Sequence, residues 1–223
     1  MKVVSWNILA NEFITPGELP PIDRKNRLTQ ICKVLKQIDA DIIFLQEVMF
    51  MEYKHFLKVF SSYDIFRGKN LCWYNRASHS GNIILLRFKS NVTVYDFSFG
   101  IGLQLPSMCL LNVHLDDLSH TKRTHQIKQL LPFIYRENNI ILGGDLNQNY
   151  KSTTHLYKLL TDGGLKIYMK DPTYFLDKKM SIDHIMTKGL PHGVSTSVDS
   201  YGGDFIKQFK NYGSDHLPVV LDI

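Results

Sequence analysis

The sequence predicts an α/β protein in which mixed β-sheets are flanked by helices. Apolar runs of strand length recur from one end of the chain to the other, segments of helical period lie between some of them, and several links are short enough for hairpins. With 223 residues, 44% of them hydrophobic, the chain can bury a sizeable core, and a single domain over residues 1–223 is expected.

In chain order, "KVVSWNI" from Lys2 is the first strand-like run; Pro20, Pro21 and then Asp23, a residue suited to cap a helix, come after it. From Arg24 to Ile38, Leu28, Ile31, Val34, Leu35 and Ile38 fall on one face, the spacing of an amphipathic helix. "DIIFLQEV" from Asp41 is a second strand, and Tyr53, Phe56, Leu57 and Phe60 repeat the helical pattern between Glu52 and Phe60. "GNIILLRF", "VTVYDFSF" and "SMCLLNVHL" continue the strands. A third helix is expected to begin near Ser119 with Ile127, Leu130, Leu131 and Ile134 inward, kinked or ended early by Pro132. "NNIILGGDL", "SIDHIM" and "HLPVVLDI" complete the set, and the glycine-bearing "YGGDFIKQFKNYGSDH" reads as an adaptable loop beside a site.

Composition narrows the class without deciding it. A formal charge of +5 and a pI near 9.0 bias the chain toward polyanions. Cys32, Cys72 and Cys109 are odd in number and lack CxxC spacing, which argues for reduced, packed thiols rather than disulfides or a zinc site. The apolar runs are too short to cross a bilayer, and "MKVVSWNILANEF" lacks the pattern of a secretory signal, so an intracellular protein without membrane association is expected.

The informative feature is the residue that ends each strand. Asn7 follows "VVSW", Glu47 follows "IIFLQ", His114 follows "LLNV", Asp145 and Asn147 follow "IILGG", Asp183 lies in "SIDHI", and Asp215 and His216 lie in "GSDHLP". One such residue alone is ordinarily a turn former or a cap. Glu47 is different, because a carboxylate closing so apolar a run is partly buried and needs a cation, a proton or a partner. Jointly the residues are rich in oxygen donors and contain no thiol, which points to a hard cation, Mg²⁺ or Mn²⁺, the usual companion of phosphate chemistry. The histidines add hydrogen-bond donors and a group that exchanges protons near neutrality. In "GGDLN", the two-residue period of an extended chain is expected to aim Asp145 and Asn147 the same way, with the glycines allowing close approach.

"SWN", "LQEV", "NVHL", "GGDLN", "SIDHI" and "SDHLPV", in this order, resemble the endonuclease/exonuclease/phosphatase superfamily, the deoxyribonuclease I-like enzymes, over practically the whole chain. The resemblance implies a four-layer α/β/β/α sandwich of two mixed sheets with the active site at one edge. It implies that Glu47 is the main metal ligand, assisted by Asn7 and Asp215. Asp145 would orient or deprotonate the attacking water, and Asn147 would hold that water or a phosphate oxygen. His216, paired with Asp183, would bind a nonbridging oxygen and stabilise the transition state, and His114 would contact the phosphate or assist the leaving oxygen. The reaction so implied is in-line attack of water on phosphorus.

Within the superfamily, "SWNILANEF" looks like the opening of the Nocturnin-like deadenylases, while "DIIFLQEVMFMEYKHFLKVFSSYDIF" is similar to the tyrosyl-DNA phosphodiesterases of the second type, although Leu9 stands where that group has an acidic residue. The segment "NLCWYNRASHSGN" places Trp73, Tyr74, Arg76 and His79 together and ends at Asn82, a set suited to stacking on a base and touching phosphate. "HTKRTH" from His120 to His125, and Lys178 with Lys179, could draw in polyanions. Nucleic acid is the expected substrate, DNA or RNA being left open, and a monomer is expected. A phosphatase acting on inositol phosphates or phospholipid headgroups is the alternative, though its further basic motifs are not found. A noncatalytic binding module is a third reading, set against the presence of Glu47, Asp145, Asn147, Asp215 and His216 together.

Overall fold

The computed structural model describes residues 1–14, 23–69, 71, 80–151, 154–168, 171–175, 179–196, 198 and 200–223. The strands are β1 (Lys2–Asn7), β2 (Ile42–Met49), β3 (Asp64–Arg67), β4 (Ser80–Leu86), β5 (Thr93–Phe97), β6 (Gly100–Gln104), β7 (Cys109–His114), β8 (Ile140–Asp145), β9 (Lys166–Ile167), β10 (Asp183–Lys188), β11 (Val194–Thr196) and β12 (Val219–Asp222). The helices are α1 (Arg24–Ile38), α2 (Phe50–Val59), α3 (His120–Arg136), α4 (His155–Asp162) and α5 (Phe205–Tyr212).

The strands form two six-stranded mixed sheets, ordered β11-β12-β1-β2-β4-β3 and β5-β6-β7-β8-β10-β9. Each contains one parallel pair, β1 with β2 and β7 with β8, and each pair is joined through a helix, α1 or α3. The sheets thus repeat one plan, with Asn7 and His114 ending corresponding strands.

Alternation along the strands builds the layers. Val3, Ile42, Phe44, Ile84, Leu110, Ile141 and Ile185 pack between the sheets. Val4, Trp6, Ile43 and Leu45 turn outward onto Leu28, Ile31 and Leu35 of α1 and Phe56 of α2. On the other side Leu111, Val113 and Leu142 meet Ile127, Leu130 and Ile134 of α3 and Leu156 and Leu160 of α4. Both faces of the central strands are therefore covered, which is why they read as unbroken apolar runs. This is the expected α/β/β/α sandwich. No helix among the described residues is long and apolar enough to cross a membrane.

Several boundaries differ from expectation for local reasons. The second helix starts at Phe50 because Glu52, at its third position, accepts the Met49 N–H at 3.0 Å. Pro132 neither ends nor interrupts α3; it is exposed, so the carbonyl of the equally exposed Lys128, four residues back, is left to water. The stretch expected as a loop carries α5, capped by Asp204, which accepts from the Lys207 N–H, and closed by Gly213 at φ 78°. Cys32 and Cys109 are free and buried, and burial pushes both thiols up to about 12; Cys72 lies outside the described residues.

At one end of the inter-sheet layer the apolar packing gives way to a polar seam of Ser5, Gln46, Asn82 and Asn112, all at most 2% exposed. The pairing of β2 with β4 slips between Leu45 and Val48, so that Gln46 and Glu47 stand against Asn82 alone, a β-bulge. From the facing sheet, Asn112 Nδ2 donates to the Leu45 carbonyl at 3.0 Å and the Ile83 carbonyl at 2.8 Å, while its Oδ1 accepts from Gln46 at 2.7 Å and Asn82 at 3.2 Å. One carboxamide thereby serves backbone groups at the bulge and fixes the registration of the two sheets.

Replacing Asn112 with Leu should remove all of these side-chain bonds at once, leaving Gln46 with Ser5 Oγ at 3.3 Å and Asn82 with the Asn112 carbonyl at 3.4 Å. A loss of about 3 kcal/mol or more in urea unfolding is expected, within the range for a disrupted buried network. A loss below about 1 kcal/mol would show that the bulge finds other partners.

Candidate active site

The bulge decides where Glu47 points. Ile43 and Leu45 face the helices, so a regular strand would send Glu47 into the same apolar layer; the extra residue turns it away and hands that place to Val48. Glu47 takes φ 57°, and Leu9 and Asn147, which line the same cleft, also have positive φ. Such backbone is unfavourable for these residues and collects where a site demands it. On the second sheet, His114, Asp145 and Asp183 lie side by side in register across β7, β8 and β10.

Glu47 and Asp145 are bridged by Asn7, whose Nδ2 donates to Glu47 Oε1 at 2.7 Å and to Asp145 Oδ2 at 3.1 Å. The other Glu47 oxygen accepts the Ala10 N–H at 2.8 Å. Asn7 Oδ1 accepts the Leu9 N–H at 3.0 Å, so this carboxamide braces two carboxylates. His114 Nε2 lies 3.8 Å from Glu47 Oε1 and 3.8 Å from Asp145 Oδ2. His216 Nε2 also lies 3.8 Å from Asp145 Oδ2, while its Nδ1 is 2.8 Å from Asp183 Oδ2. Thr173 completes this chain by donating to Asp183 Oδ2 at 2.6 Å. Asp215 is buried, with its Oδ1 3.9 Å from His216 Nε2. Beside it, Ser214 Oγ donates to the Asn7 carbonyl at 2.8 Å, tying the end of β1 to the segment before β12.

Asp145 and Asn147 do meet in the cleft, but not through strand alternation. β8 ends at Asp145, and the chain then turns so that the Asn147 N–H donates to Asp145 Oδ1 at 2.8 Å and its side-chain amide to the Leu115 carbonyl at 2.8 Å. The preceding glycines serve packing: a Cβ on Gly143 would collide with Phe44 of the other sheet, and one on Gly144, at φ 146°, with the Val113 carbonyl.

Burial raises the Asp145 carboxyl to about 6, helped by Asp183 and opposed by His216 and His114. Burial, with Glu47 close by, also raises Asp215 against the pull of His216. For His216 burial pulls downward, but Asp183, Asp215 and Asp145 outweigh it and hold the imidazole well above its ordinary value. These directions describe a buried excess of negative charge, and Asp183 Oδ1 is buried without a hydrogen-bond partner. A cation fits such a site, and the donors, carboxylates with no thiolate, suit a hard divalent ion. Asp145 and Asp183 place carboxylate oxygens within 4.8 Å of each other and of the His216 ring nitrogen.

The cleft measures about 1030 Å³, and its wall includes Glu47, His114, Asp145, Asn147, Asp215 and His216. Of the residues expected next to substrate, Trp73, Tyr74 and Arg76 lie outside the described residues, as do His79 and Lys178. Asn82 is drawn into the inter-sheet seam, where its amide donates to the Asn112 carbonyl at 3.4 Å and to its Oδ1 at 3.2 Å. Three rim residues were not among those expected next to substrate: Phe13, 57% exposed, Leu118, 89% exposed, and Tyr174, whose ring lies 4.9 Å from that of His216.

The model of the endonuclease/exonuclease/phosphatase family matches residues 4–216. No curated protein matches the chain by sequence. Among solved structures, the human Nocturnin catalytic domain with bound sulfate is similar at a TM-score of 0.76 and 17% identity, covering 100% of this chain and 93% of that one. ANGEL2, a 2′,3′-cyclic phosphatase solved with adenosine-2′,3′-vanadate, is similar at 0.72 and 16%, covering 99% and 94%. A D. rerio TDP2 humanised by 14 mutations is similar at 0.66 and 17%, covering 100% and 99%.

If the buried charge is matched by a cation, Mg²⁺ or Mn²⁺ should raise the thermal midpoint of the protein and EDTA should reverse it. At about 100 times the dissociation constant the stabilisation should approach about 2.7 kcal/mol. Glu47→Gln should abolish most of this shift while remaining folded; an unchanged shift in that variant would remove Glu47 from the ligand set.

Proposed function

The chain belongs to the endonuclease/exonuclease/phosphatase family, and on that premise we propose that it is a divalent-metal-dependent hydrolase of phosphodiester bonds in nucleic acid, working as a single-domain monomer. The observation that carries the reading is the convergence of His114 Nε2, His216 Nε2 and Asn7 Nδ2 on one oxygen of Asp145. Two imidazoles flanking a buried carboxylate can hold a phosphate by its oxygens while the carboxylate faces the water that attacks it.

Asp145 orients that water and takes its proton, and a carboxyl raised to about 6 is well placed to accept one near neutrality. Asn147 holds the water or an adjacent phosphate oxygen. His216, kept protonated by Asp183, donates from Nε2 to a nonbridging oxygen as negative charge develops. His114 contacts the phosphate or the leaving oxygen from the opposite side. Glu47 and Asp215, with Asn7 bracing Glu47, would hold Mg²⁺ or Mn²⁺, whose contribution when bound is to neutralise phosphate charge.

Two features favour nucleic acid over a densely phosphorylated small molecule. Phe13, Leu118 and Tyr174 give the cleft rim apolar surface on which a base can lie. Among the described residues the wall has no Lys or Arg, the side chains that several phosphates on one inositol ring would require. The adenosine-2′,3′-vanadate held by ANGEL2 is consistent with a nucleotide in this fold.

Asp145→Asn and His216→Ala should each lower turnover by roughly 10²-fold or more on an end-labelled panel of single-stranded DNA, poly(A) RNA, abasic duplex and 5′-tyrosyl DNA. Phosphate release confined to an inositol polyphosphate would overturn the substrate class. Phe13→Ala should raise KM for the preferred nucleic acid by roughly tenfold, the worth of one base stack, and leave hydrolysis of dimethyl phosphate unchanged. Equal losses on both substrates would remove Phe13 from base recognition.

A further inference from the structure

Arg27 lies on α1 with no exposed surface, turned inward beside the apolar stripe. Its guanidinium is spread over three chain segments. Nη1 donates to the Ile8 carbonyl at 2.5 Å and the Gly213 carbonyl at 3.0 Å, Nε donates to Asn11 Oδ1 at 3.1 Å, and Nη2 meets Glu52 Oε1 at 3.1 Å. Glu52 passes the connection on, since its Oε2 accepts the Met49 N–H at 3.0 Å. Gly213 sits so close that a Cβ there would meet Arg27 Cγ at 3.0 Å.

These anchor points stand next to the oxygen donors of the site. Ile8 follows Asn7, Met49 is two residues after Glu47, and Gly213 is two residues before Asp215. Asn11 belongs to the same turn as Ala10, whose N–H holds Glu47 Oε2. Asp215 and Glu47 are among the groups whose charge bears on Arg27. We propose that Arg27 is the positioning residue of the cation site, one planar fork that clamps the three segments carrying Asn7, Glu47 and Asp215. This rests on the reading of Glu47 and Asp215 as ligands of a divalent ion.

The fork is what matters, more than the charge. A guanidinium bonds in several fixed directions in one plane, whereas an ammonium is a compact point charge on a flexible stem. Residues that orient ligands without touching the metal typically alter affinity by roughly 10- to 100-fold when replaced. Glu52 alone cannot replace the clamp, because it reaches only the Met49 segment and Asn11.

The test is a calorimetric titration of the full chain with Mn²⁺, read beside the thermal midpoint and the rate on the preferred substrate. Arg27→Met alone would strand Glu52 as a buried unpaired charge, so the informative variants are Arg27→Lys and the double variant Arg27→Met with Glu52→Gln. Both should bind Mn²⁺ roughly 10- to 100-fold more weakly at temperatures where the cation-free protein, its midpoint lowered by the weakened bonding of the Ile8 and Gly213 carbonyls, is still folded, and excess Mn²⁺ should restore most of the turnover. Wild-type affinity in whichever of the two is folded would overturn the proposal, as would lost turnover that excess Mn²⁺ does not restore. A different outcome marks failure of the underlying reading: Mn²⁺ binding that Glu47→Gln leaves untouched would mean the ion sits elsewhere, and the positioning role falls with it.

Discussion

A buried backbone carbonyl must have a partner, and at the β2 bulge that rule is met from outside the sheet. The carbonyls of Leu45 and Ile83, the last pair before the register slips, both accept from Asn112 of the facing sheet. The bulge can persist because the sheets are packed, and the sheets are registered because the bulge needs Asn112. Glu47 inherits its position from this arrangement. An uninterrupted strand would bury its charge among Ile31, Leu35 and Phe56, where a lone carboxylate is untenable.

The site is thus assembled from strand ends that a rigid double sheet brings to one rim. Asp145 faces Asn7 and Glu47 of the first sheet and His114 and Asp183 of its own. Crowding these carboxylates in a poorly solvated place is unfavourable in isolation, which the raised Asp145 and Asp215 reflect. The same crowding creates selectivity for a positive ion and for protonated imidazole, so the strain and the chemistry have one source.

Much of this was legible in the chain. The apolar runs marked the major strands, and the polar residue closing each one marked the rim, because a charge such as Glu47 after "IIFLQ" is buried only where it finds a partner. The bulge and the Asn147 turn were not legible, since both depend on tertiary partners that no local pattern encodes. Other features left a signal that period counting passes over. Asn112 interrupts "CLLNVH" in a strand covered on both faces, and Arg27 precedes Ile31, Val34 and Leu35 at helical spacing on a stripe that is otherwise apolar. α5 carries an Asp cap, Phe205, Phe209 and Tyr212 along one face, and a closing Gly, but its flanking glycines suggested a loop. Pro132 shows the reverse error, a breaker tolerated because its solvent-facing side needs no bond.

The central strand β1 has its neighbours far apart in sequence: it pairs with β2 on one side and with β12 on the other, Lys2 lying opposite Asp222. The rim likewise needs Asn7 from that strand and His216 from the segment leading into β12. A ribosome-bound chain can collapse around α1 and β2 long before it owns the second imidazole. Such an intermediate would carry Asn7 and Glu47 without Asp215 and His216, with an open edge on β1 awaiting its last neighbour. Assembly of the rim and closure of the first sheet are therefore one event.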